Sequence, residues 1–227
     1  STLRHTLFPY TTLFRSENGE IAGRFKRYFG TADFALYGYR GFYKNPEGFD
    51  PSTMEAYYPR LNVYGASIRM PIFEGIAWLE GGYYDSREDT DGDNPNIPNS
   101  SVTGLVGFER QIVTNLTVNL QYQGEVMMNY DEFVESVGGQ SEVDEVYHLL
   151  TSRVTRLMRM ETVVLSLFGF YSPSQEDFYG RFSLDYKYTD HLTLTVGGNI
   201  FAGNDKFTDF GTFQKNDNLY LKITYGY

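Results

Sequence analysis

The chain has 227 residues, of which 41% are hydrophobic and 17% aromatic, and its formal net charge is −10. This acidic balance argues against a nucleic-acid-binding protein, which needs a basic surface. The absence of cysteine excludes disulfides, thiolate metal sites and thiol catalysis. No run of 18 apolar residues occurs, so no membrane-spanning helix is predicted, whereas spanning strands stay open because their alternating pattern averages to a polar composition.

The first 16 residues are interpreted as a segment that does not belong to the natural protein. Residues 6–16 read TLFPYTTLFRS, which looks like the conceptual translation of a common short-read sequencing adapter. Residues 1–5 fit the preceding adapter segment and a variable index. The alternative is a genuine N-terminus whose aromatic residues join a sheet. We therefore divide the chain into a non-native, adapter-derived segment 1–16 and a domain 17–227.

From Glu20 onward, apolar and polar residues alternate in segments that are separated by turn residues. Leu116, Val118 and Leu120, for example, alternate with polar residues at positions 117, 119 and 121. Period two is the strand period, and helical spacing is poor throughout. The pattern predicts strands of about ten residues, a length that suits a tilted crossing of a bilayer. The predicted strands are 20–29, 33–43, 59–70, 75–84, 101–110, 115–127, 146–159, 161–171, 177–188, 191–202 and 218–227.

The connections between these strands alternate in length along the chain. Tight connections are predicted at 30–32, 71–74, 111–114, 160 and 189–190, and longer ones at 44–58, 85–100, 129–145, 172–176 and 203–217. A soluble sandwich with Greek-key crossings has no reason to alternate in this way. A membrane barrel has short periplasmic turns and longer outer loops. The sequence therefore predicts an all-β fold, an antiparallel up-and-down transmembrane β-barrel.

The number of predicted strands is odd. Bacterial single-chain barrels have even strand numbers, with both termini on the periplasmic side. Counting back from the last strand makes the first predicted strand a descending one, whereas a complete barrel begins with an ascending strand. We therefore expect 11–12 strands to be present in a barrel that is truncated at its N-terminus, where the adapter-derived sequence begins.

The last strand resembles the C-terminal signal of bacterial outer-membrane β-barrels. Its apolar positions alternate toward a terminal aromatic residue, which is commonly Phe in that family and is Tyr here. The segments LSLFGFY at 165–171 and GGNIF at 197–201 are similar to porin-like barrels of uncharacterised substrate. The resemblance implies an outer-membrane location, a pore or export role, and recognition of the last strand by the barrel-assembly machinery. The implied assembly residues are Leu219, Leu221, Ile223, Tyr225 and Tyr227.

Ten of the charged residues inside the predicted strands are assigned to the inward face, where they line a wet lumen. A preponderance of basic side chains in a pore favours anions, whereas mixed charges on a wet wall pair with one another, and both readings stay open. A shift of one residue in register inverts the assignment of a strand, and strands 59–70 and 146–159 have ambiguous faces. The lumen candidates are Arg24, Lys26, Arg40, Glu80, Glu109, Arg153, Arg181, Asp185, Lys187 and Lys222.

An acidic loop at 88–96 resembles the beginning of a calcium-binding loop. Asp89, Asp91 and Asp93 place carboxylates at alternate positions, which can surround a hard cation with oxygen ligands. The match is partial, because Asn94 and Ser100 stand where a calcium loop of the EF-hand type has Gly and Glu. A loop-bound calcium ion is one interpretation, and a solvated acidic turn is the other. No other cofactor is predicted.

No catalytic site is predicted. Outside residues 1–16 the histidines are His148 and His191, and an outer-membrane phospholipase or protease would need one of them beside a Ser or a carboxylate. His148 and Ser152 share one face of a strand but lie about 13 Å apart. His191 follows Asp190 at a tight turn, which is an ordinary position for polar residues.

The sequence therefore predicts a non-enzymatic, porin-like outer-membrane channel for passive diffusion of small hydrophilic solutes. Its expected contacts are membrane lipid, lipopolysaccharide, the barrel-assembly machinery and the solutes, with no nucleic acid. The alternative is a secreted or periplasmic β-sandwich that binds carbohydrate or protein partners through exposed aromatic residues. A third interpretation is a plugged barrel whose loops serve adhesion. The oligomeric state is left open.

Overall fold

A computed structural model contains a long strand in each of the eleven segments where the sequence alternates. It describes residues 19–139, 141, 143–203 and 208–226, so the segment 1–16 and Tyr227 lie outside the described residues. The long strands are β1 (Ile21–Phe29), β2 (Ala32–Phe42), β5 (Arg60–Ile72), β6 (Gly75–Ser86), β7 (Ser101–Val113), β8 (Leu116–Met127), β9 (Val146–Met158), β10 (Val163–Ser172), β11 (Asp177–Lys187), β12 (Leu192–Gly203) and β13 (Asn218–Tyr225).

Three smaller elements lie in the longer connections and were not expected from the alternation. A short hairpin of β3 (Gly48–Asp50) and β4 (Glu55–Tyr57) follows β2. A helix, α1 (Tyr130–Ser136), follows β8, and a single 3₁₀ turn (Gly211–Phe213) precedes β13. Each is too short to leave a periodic signal in the sequence.

The long strands form one antiparallel sheet in which every strand pairs with its neighbours in the chain. Within the described residues the order is β1-β2-β5-β6-β7-β8-β9-β10-β11-β12-β13, with only the short hairpin outside it. This confirms the predicted all-β, antiparallel up-and-down topology. A sandwich would divide such strands between two facing sheets.

The tight turns lie at one end of the sheet and the longer connections lie at the other end, as predicted. The tight turns include Phe73 and Glu74, whose φ angles of 49° and 57° produce the backbone twist that two-residue hairpins need. The longer connections are 43–59, 87–100, 128–145 and 204–217, and the smaller elements lie in the first, third and fourth of them. The connection 173–176 differs from the prediction, because it is no longer than the turn 159–162 at the opposite end.

The two faces of the sheet differ in chemistry, and the strand register assigns every residue to one of them. One, here called the apolar face, carries Phe25, Leu36, Tyr64, Leu79, Val106, Leu120, Leu150, Leu167, Leu184, Val196 and Leu221. The other, here called the polar face, carries Arg24, Lys26, Glu80, Glu109, Gln121, Gln123, Glu125, Arg153, Ser166, Arg181, Ser183, Asp185, Thr195 and Lys222.

The polar face is the sheltered one. Large side chains of the apolar face are exposed, for example Leu120 at 58% and Val106 at 50% of their surface. The buried side chains of the long strands all lie on the polar face: Ala35, Leu61, Ser86, Ser101, Ser172, Asp177 and Thr195. Within the described residues, the buried hydrophobic side chains are only Ala35, Leu61 and Ile97. This distribution is the reverse of that in a water-soluble protein.

Trp78 lies on the polar face directly across from Gly107, and a Cβ atom at Gly107 would overlap the indole ring. We expect Gly107→Ala to lower the free energy of unfolding by about 1–3 kcal/mol, because the ring has to shift from its packed position. Denaturant titration of the detergent-solubilised protein measures this change. Gly104→Ala on the same strand is the control, because its Cβ would meet no atom within 4 Å. An equal loss in both variants would contradict the indole contact as the cause.

Candidate functional site

The polar face holds nine of the ten residues predicted to line a lumen. These nine are Arg24, Lys26, Glu80, Glu109, Arg153, Arg181, Asp185, Lys187 and Lys222. The exception is Arg40, which pairs with Ile21 and Asn62 and therefore lies on the apolar face, close to the end of β2. The assignment of Arg40 was wrong because the tyrosines of β2, Tyr37 and Tyr39, lie on the polar face, which places Arg40 on the other. The Tyr39 hydroxyl donates to the Phe42 carbonyl at 2.9 Å and thereby has a partner there.

Charges on the polar face are separated by strand. The neighbouring strands β6, β7 and β8 contribute Glu80, Glu109 and Glu125 and no basic residue. Strands β9 to β13 contribute four basic residues, Arg153, Arg181, Lys187 and Lys222, alongside Asp177 and Asp185. Sequence reasoning missed Glu125 and Asp177, and also Asp33 and Arg69 on β2 and β5. Following the alternation of each predicted strand to both of its ends would have identified these four residues.

Pairing between charges is sparse on the polar face. Among the described residues of this face, the ion pair is Lys26 with Asp33, at 2.6 Å. Asp185 instead accepts a hydrogen bond from the Thr195 hydroxyl at 2.5 Å, and Glu109 accepts one from the Asn119 amide at 3.2 Å. Because these partners are neutral, the negative charges of Asp185 and Glu109 are not compensated by a basic side chain. The separation by strand is therefore not cancelled by local pairing.

A hollow on the polar face combines two arginines with aromatic rings. It has a volume of about 470 Å³ and is lined by Arg153, Ser166, Leu167, Phe168, Phe170, Tyr179, Arg181 and Ser183. Arg153, Phe168 and Arg181 occupy directly opposite positions on β9, β10 and β11. Both arginines are exposed, and within the described part of the chain neither forms an ion pair. A second hollow of about 390 Å³ adjoins the first and shares Arg181 and Ser183 with it.

The rings of this region form a row on the polar face. Phe170, Tyr179 and Phe201 lie side by side on β10, β11 and β12, with ring planes inclined by only 10° and 12° at centroid distances of 5.8 and 4.7 Å. Phe210 packs on Phe170 and Tyr179 from the connection before β13. The sequence did not predict aromatic residues on this face. In LSLFGFY the odd-numbered and the even-numbered positions both contain large apolar residues, so the alternation does not tell the two faces apart.

The longer connections are tied together at one end of the sheet. The buried Asn99 donates from its amide to the carbonyls of Met128 and Asn129, at 2.9 and 3.3 Å, and so links connection 87–100 to 128–145. The Asn129 amide donates in return to the Asp91 carbonyl at 2.8 Å. The Phe49 N–H donates to the Asn96 carbonyl at 2.9 Å and adds the β3–β4 hairpin to the network.

Local hydrogen bonding and burial also shift the pKa values of Asp50 and Tyr43 in the connection 43–59. The hydroxyl and N–H of Ser52 both donate to Asp50 and lower the pKa of its carboxyl group. Burial raises the pKa of the Tyr43 hydroxyl. Neither group touches the two hollows described above.

The predicted calcium ligands do not converge. Asp89 is buried and uses one carboxylate oxygen to accept the Gly92 N–H at 2.9 Å and the other to accept the Asn94 N–H at 3.1 Å. Asp91 and Asp93 are exposed. Among the described residues, no group of three or more His, Asp or Glu side chains is placed to hold a metal ion. A turn closed by an Asp side chain explains this geometry without a cation.

Two of the residues considered for catalysis, His148 and Ser152, lie on the apolar face. His148 shares a hydrogen bond of 2.7 Å with the Tyr122 hydroxyl through its Nδ1 atom, and Ser152 lies across from Gly169 on β10. His148 and Ser152 are four residues apart on one strand and thus cannot contact each other. His191 lies in the turn after β11.

The predicted assembly residues Leu219, Leu221 and Ile223 share the apolar face with Tyr225, and each of these four side chains is at least 65% exposed. Tyr227 lies outside the described residues. No helix within the described ranges is long and apolar enough to cross a membrane.

Comparisons with known proteins give similar structures but no related sequence. No protein-family model matches the chain, and a search of curated proteins finds no significant match. One similar solved structure is described as KdgM porin in complex with disordered oligogalacturonate, with 9% identity, a TM-score of 0.37 and 92% of each chain covered. Another is outer membrane phospholipase A from Escherichia coli, with 10% identity, a TM-score of 0.38, and 90% of this chain and 75% of that chain covered.

Proposed function

We propose that this chain is a bacterial outer-membrane β-barrel that acts as a channel for passive diffusion of small hydrophilic solutes. The sidedness of the sheet is the observation that carries the proposal. Exposed Leu, Val and Tyr side chains cover one face of the long strands, and charged and amide side chains lie on the sheltered face. In water an exposed apolar face of this extent would be unstable, whereas in a bilayer it contacts lipid.

A closed sheet follows from a membrane location. Lipid offers no hydrogen-bond partner, so each strand edge that crosses a bilayer has to be paired. The strand order of the described residues ends in β1 and β13. These two strands run in the same direction, because they are the first and the last of eleven strands that alternate in direction. Direct pairing would therefore be parallel, and an intervening strand would pair antiparallel with both.

Passage through the channel depends on its width and on the charges of its wall. Glu80, Glu109 and Glu125 make one side of the polar face negative, and the basic residues of β9 to β13 make the other positive. A solute in a narrow aqueous path between such surfaces is selected by size and by charge. No reaction and no cofactor enter this mechanism.

The partners in this proposal follow from the two faces and the two ends of the sheet. Membrane lipid contacts the apolar face, and lipopolysaccharide contacts the rim beside the longer connections. The alternating apolar residues of β13 are the segment that the barrel-assembly machinery recognises. Small hydrophilic solutes contact the polar face.

Three measurements on the full-length chain test the proposal. We expect extraction only with detergent, a gel mobility that changes on boiling, and stepwise conductance in planar bilayers. Extraction into buffer without detergent would overturn the barrel and favour the soluble β-sandwich that binds partners through exposed aromatic residues. A heat-modifiable protein without conductance would overturn the open channel and leave a plugged barrel.

A further inference from the structure

We infer that the hollow lined by Arg153, Arg181, Phe168, Phe170 and Tyr179 is a binding site for a carboxylated sugar. The inference rests on the proposed function, since it names a solute class for the same polar face. Its basis is the combination of two exposed guanidinium groups, aromatic walls and serine hydroxyls in one hollow of about 470 Å³.

The charge of the ligand follows from the arginines. Arg153 and Arg181 lie on strands separated only by β10, which places their Cα atoms about 10 Å apart. Both are exposed and, among the described residues, neither forms an ion pair. A guanidinium group presents parallel N–H donors that match a carboxylate. Glu80, Glu109 and Glu125 lie on other strands. Asp177 and Asp185 share β11 with Arg181, but each is four residues or about 13 Å from it along the strand, and neither forms an ion pair with it.

The aromatic rings and serine hydroxyls of the hollow indicate the uncharged part of the ligand. Phe168 and Phe170 meet edge to face at 4.7 Å, and Tyr179 lies parallel to Phe170, so the hollow has flat apolar surfaces. Contact with such apolar surfaces would not contribute to the binding of an inorganic anion. Ser166 and Ser183 add hydroxyl groups to the same wall. A sugar ring fits this combination, because its C–H faces pack on aromatic rings and its hydroxyls hydrogen-bond to serine and arginine.

The neighbouring hollow extends the site. It shares Arg181 and Ser183 with the first and is also lined by Asp185, Thr195, Asn199, Tyr220 and Lys222. The Asn199 amide is held between the Tyr179 hydroxyl and Asn218, at 2.8 and 2.9 Å. Lys222 provides a third positive charge beyond Arg181, on β13. A sugar ring in the second hollow would meet two basic side chains, one carboxylate and several polar groups, so the first hollow is the one that selects the acidic ring.

Equilibrium binding to the detergent-solubilised chain tests this inference independently of conductance. The probes are glucuronate, glucose, acetate and benzoate. We expect glucuronate to bind more tightly than the other three. We expect Arg153→Gln and Arg181→Gln each to weaken glucuronate binding about tenfold, since a hydrogen bond to a charged group contributes roughly that factor. Phe168→Leu should weaken glucuronate binding and leave acetate unaffected.

Arg24→Gln on β1 is the matched control, because it removes one positive charge from the same face away from the hollow. An equal loss in this variant would reduce the effect to general charge attraction and overturn the site. Tighter binding of benzoate or of glucose than of glucuronate would overturn the ligand class. Binding with these specificities in a chain that gives no conductance would contradict the channel and support the site, whereas conductance without binding would do the reverse.

Discussion

Val106→Arg is expected to destabilise the protein in a bilayer by about 2–4 kcal/mol, the cost measured for arginine on the lipid face near the middle of such barrels. Val106 lies on the apolar face in β7 and is 50% exposed. A guanidinium group there would lose its hydration to hydrocarbon. Urea titration in lipid vesicles, with heat-modifiable gel migration as the readout, measures the loss.

Leu105→Arg is the matched control for this prediction. It introduces the same side chain at the neighbouring position, which lies on the polar face and is half-buried. If the apolar face contacts lipid, Val106→Arg is the more damaging of the two. In a protein with water on both sides of the sheet the order is reversed, because the exposed Val106 then tolerates arginine best. The reversed order would contradict the membrane location.

Asn99→Asp is expected to release the longer connections from one another while the sheet stays intact. The wild-type amide donates to the Met128 and Asn129 carbonyls. A carboxylate of the same shape has no N–H to offer and places negative charge against both oxygens. Leaving buried polar groups unpaired costs about 1–3 kcal/mol for each group.

Limited trypsin digestion at Arg87, which begins the connection 87–100, reports this release. We expect faster cleavage in Asn99→Asp with unchanged heat-modifiable migration. Asn45→Asp is the control, since the Asn45 amide makes an exposed contact with Glu47 at 3.4 Å. Equal cleavage rates in the wild type and Asn99→Asp would show that other contacts hold the connections together.

The strands, and the apolar or polar character of each of their faces, were predictable because both depend on the local sequence pattern. A strand such as β8 shows its two faces directly, since apolar residues from Leu116 to Leu120 alternate with Thr117 and Asn119. β2 was harder, because Tyr37 and Tyr39 suit either face of a sheet. The error at Arg40 came from this ambiguity, which only pairing with β1 and β5 resolves.

The candidate site was predictable only in part. Arg153 and Arg181 were each identified as a lumen candidate, but they are 28 positions apart in the chain. Their position on either side of Phe168 depends on the registers of two strand pairs. The hydrogen bonds that use both oxygens of Asp89 depend on the path of a loop. No periodicity carries that information.

The sequence by itself determined the number of the long strands, their bounds to within three residues, the antiparallel succession and the charge of most polar-face positions. The period-two alternation and the spacing of turn residues encode these features locally. The tertiary structure decided the register, and with it the face of Arg40, the separation of acidic from basic strands and the meeting of two arginines with an aromatic row. Register is a relation between strands, and a shift of one residue changes every neighbour across the sheet.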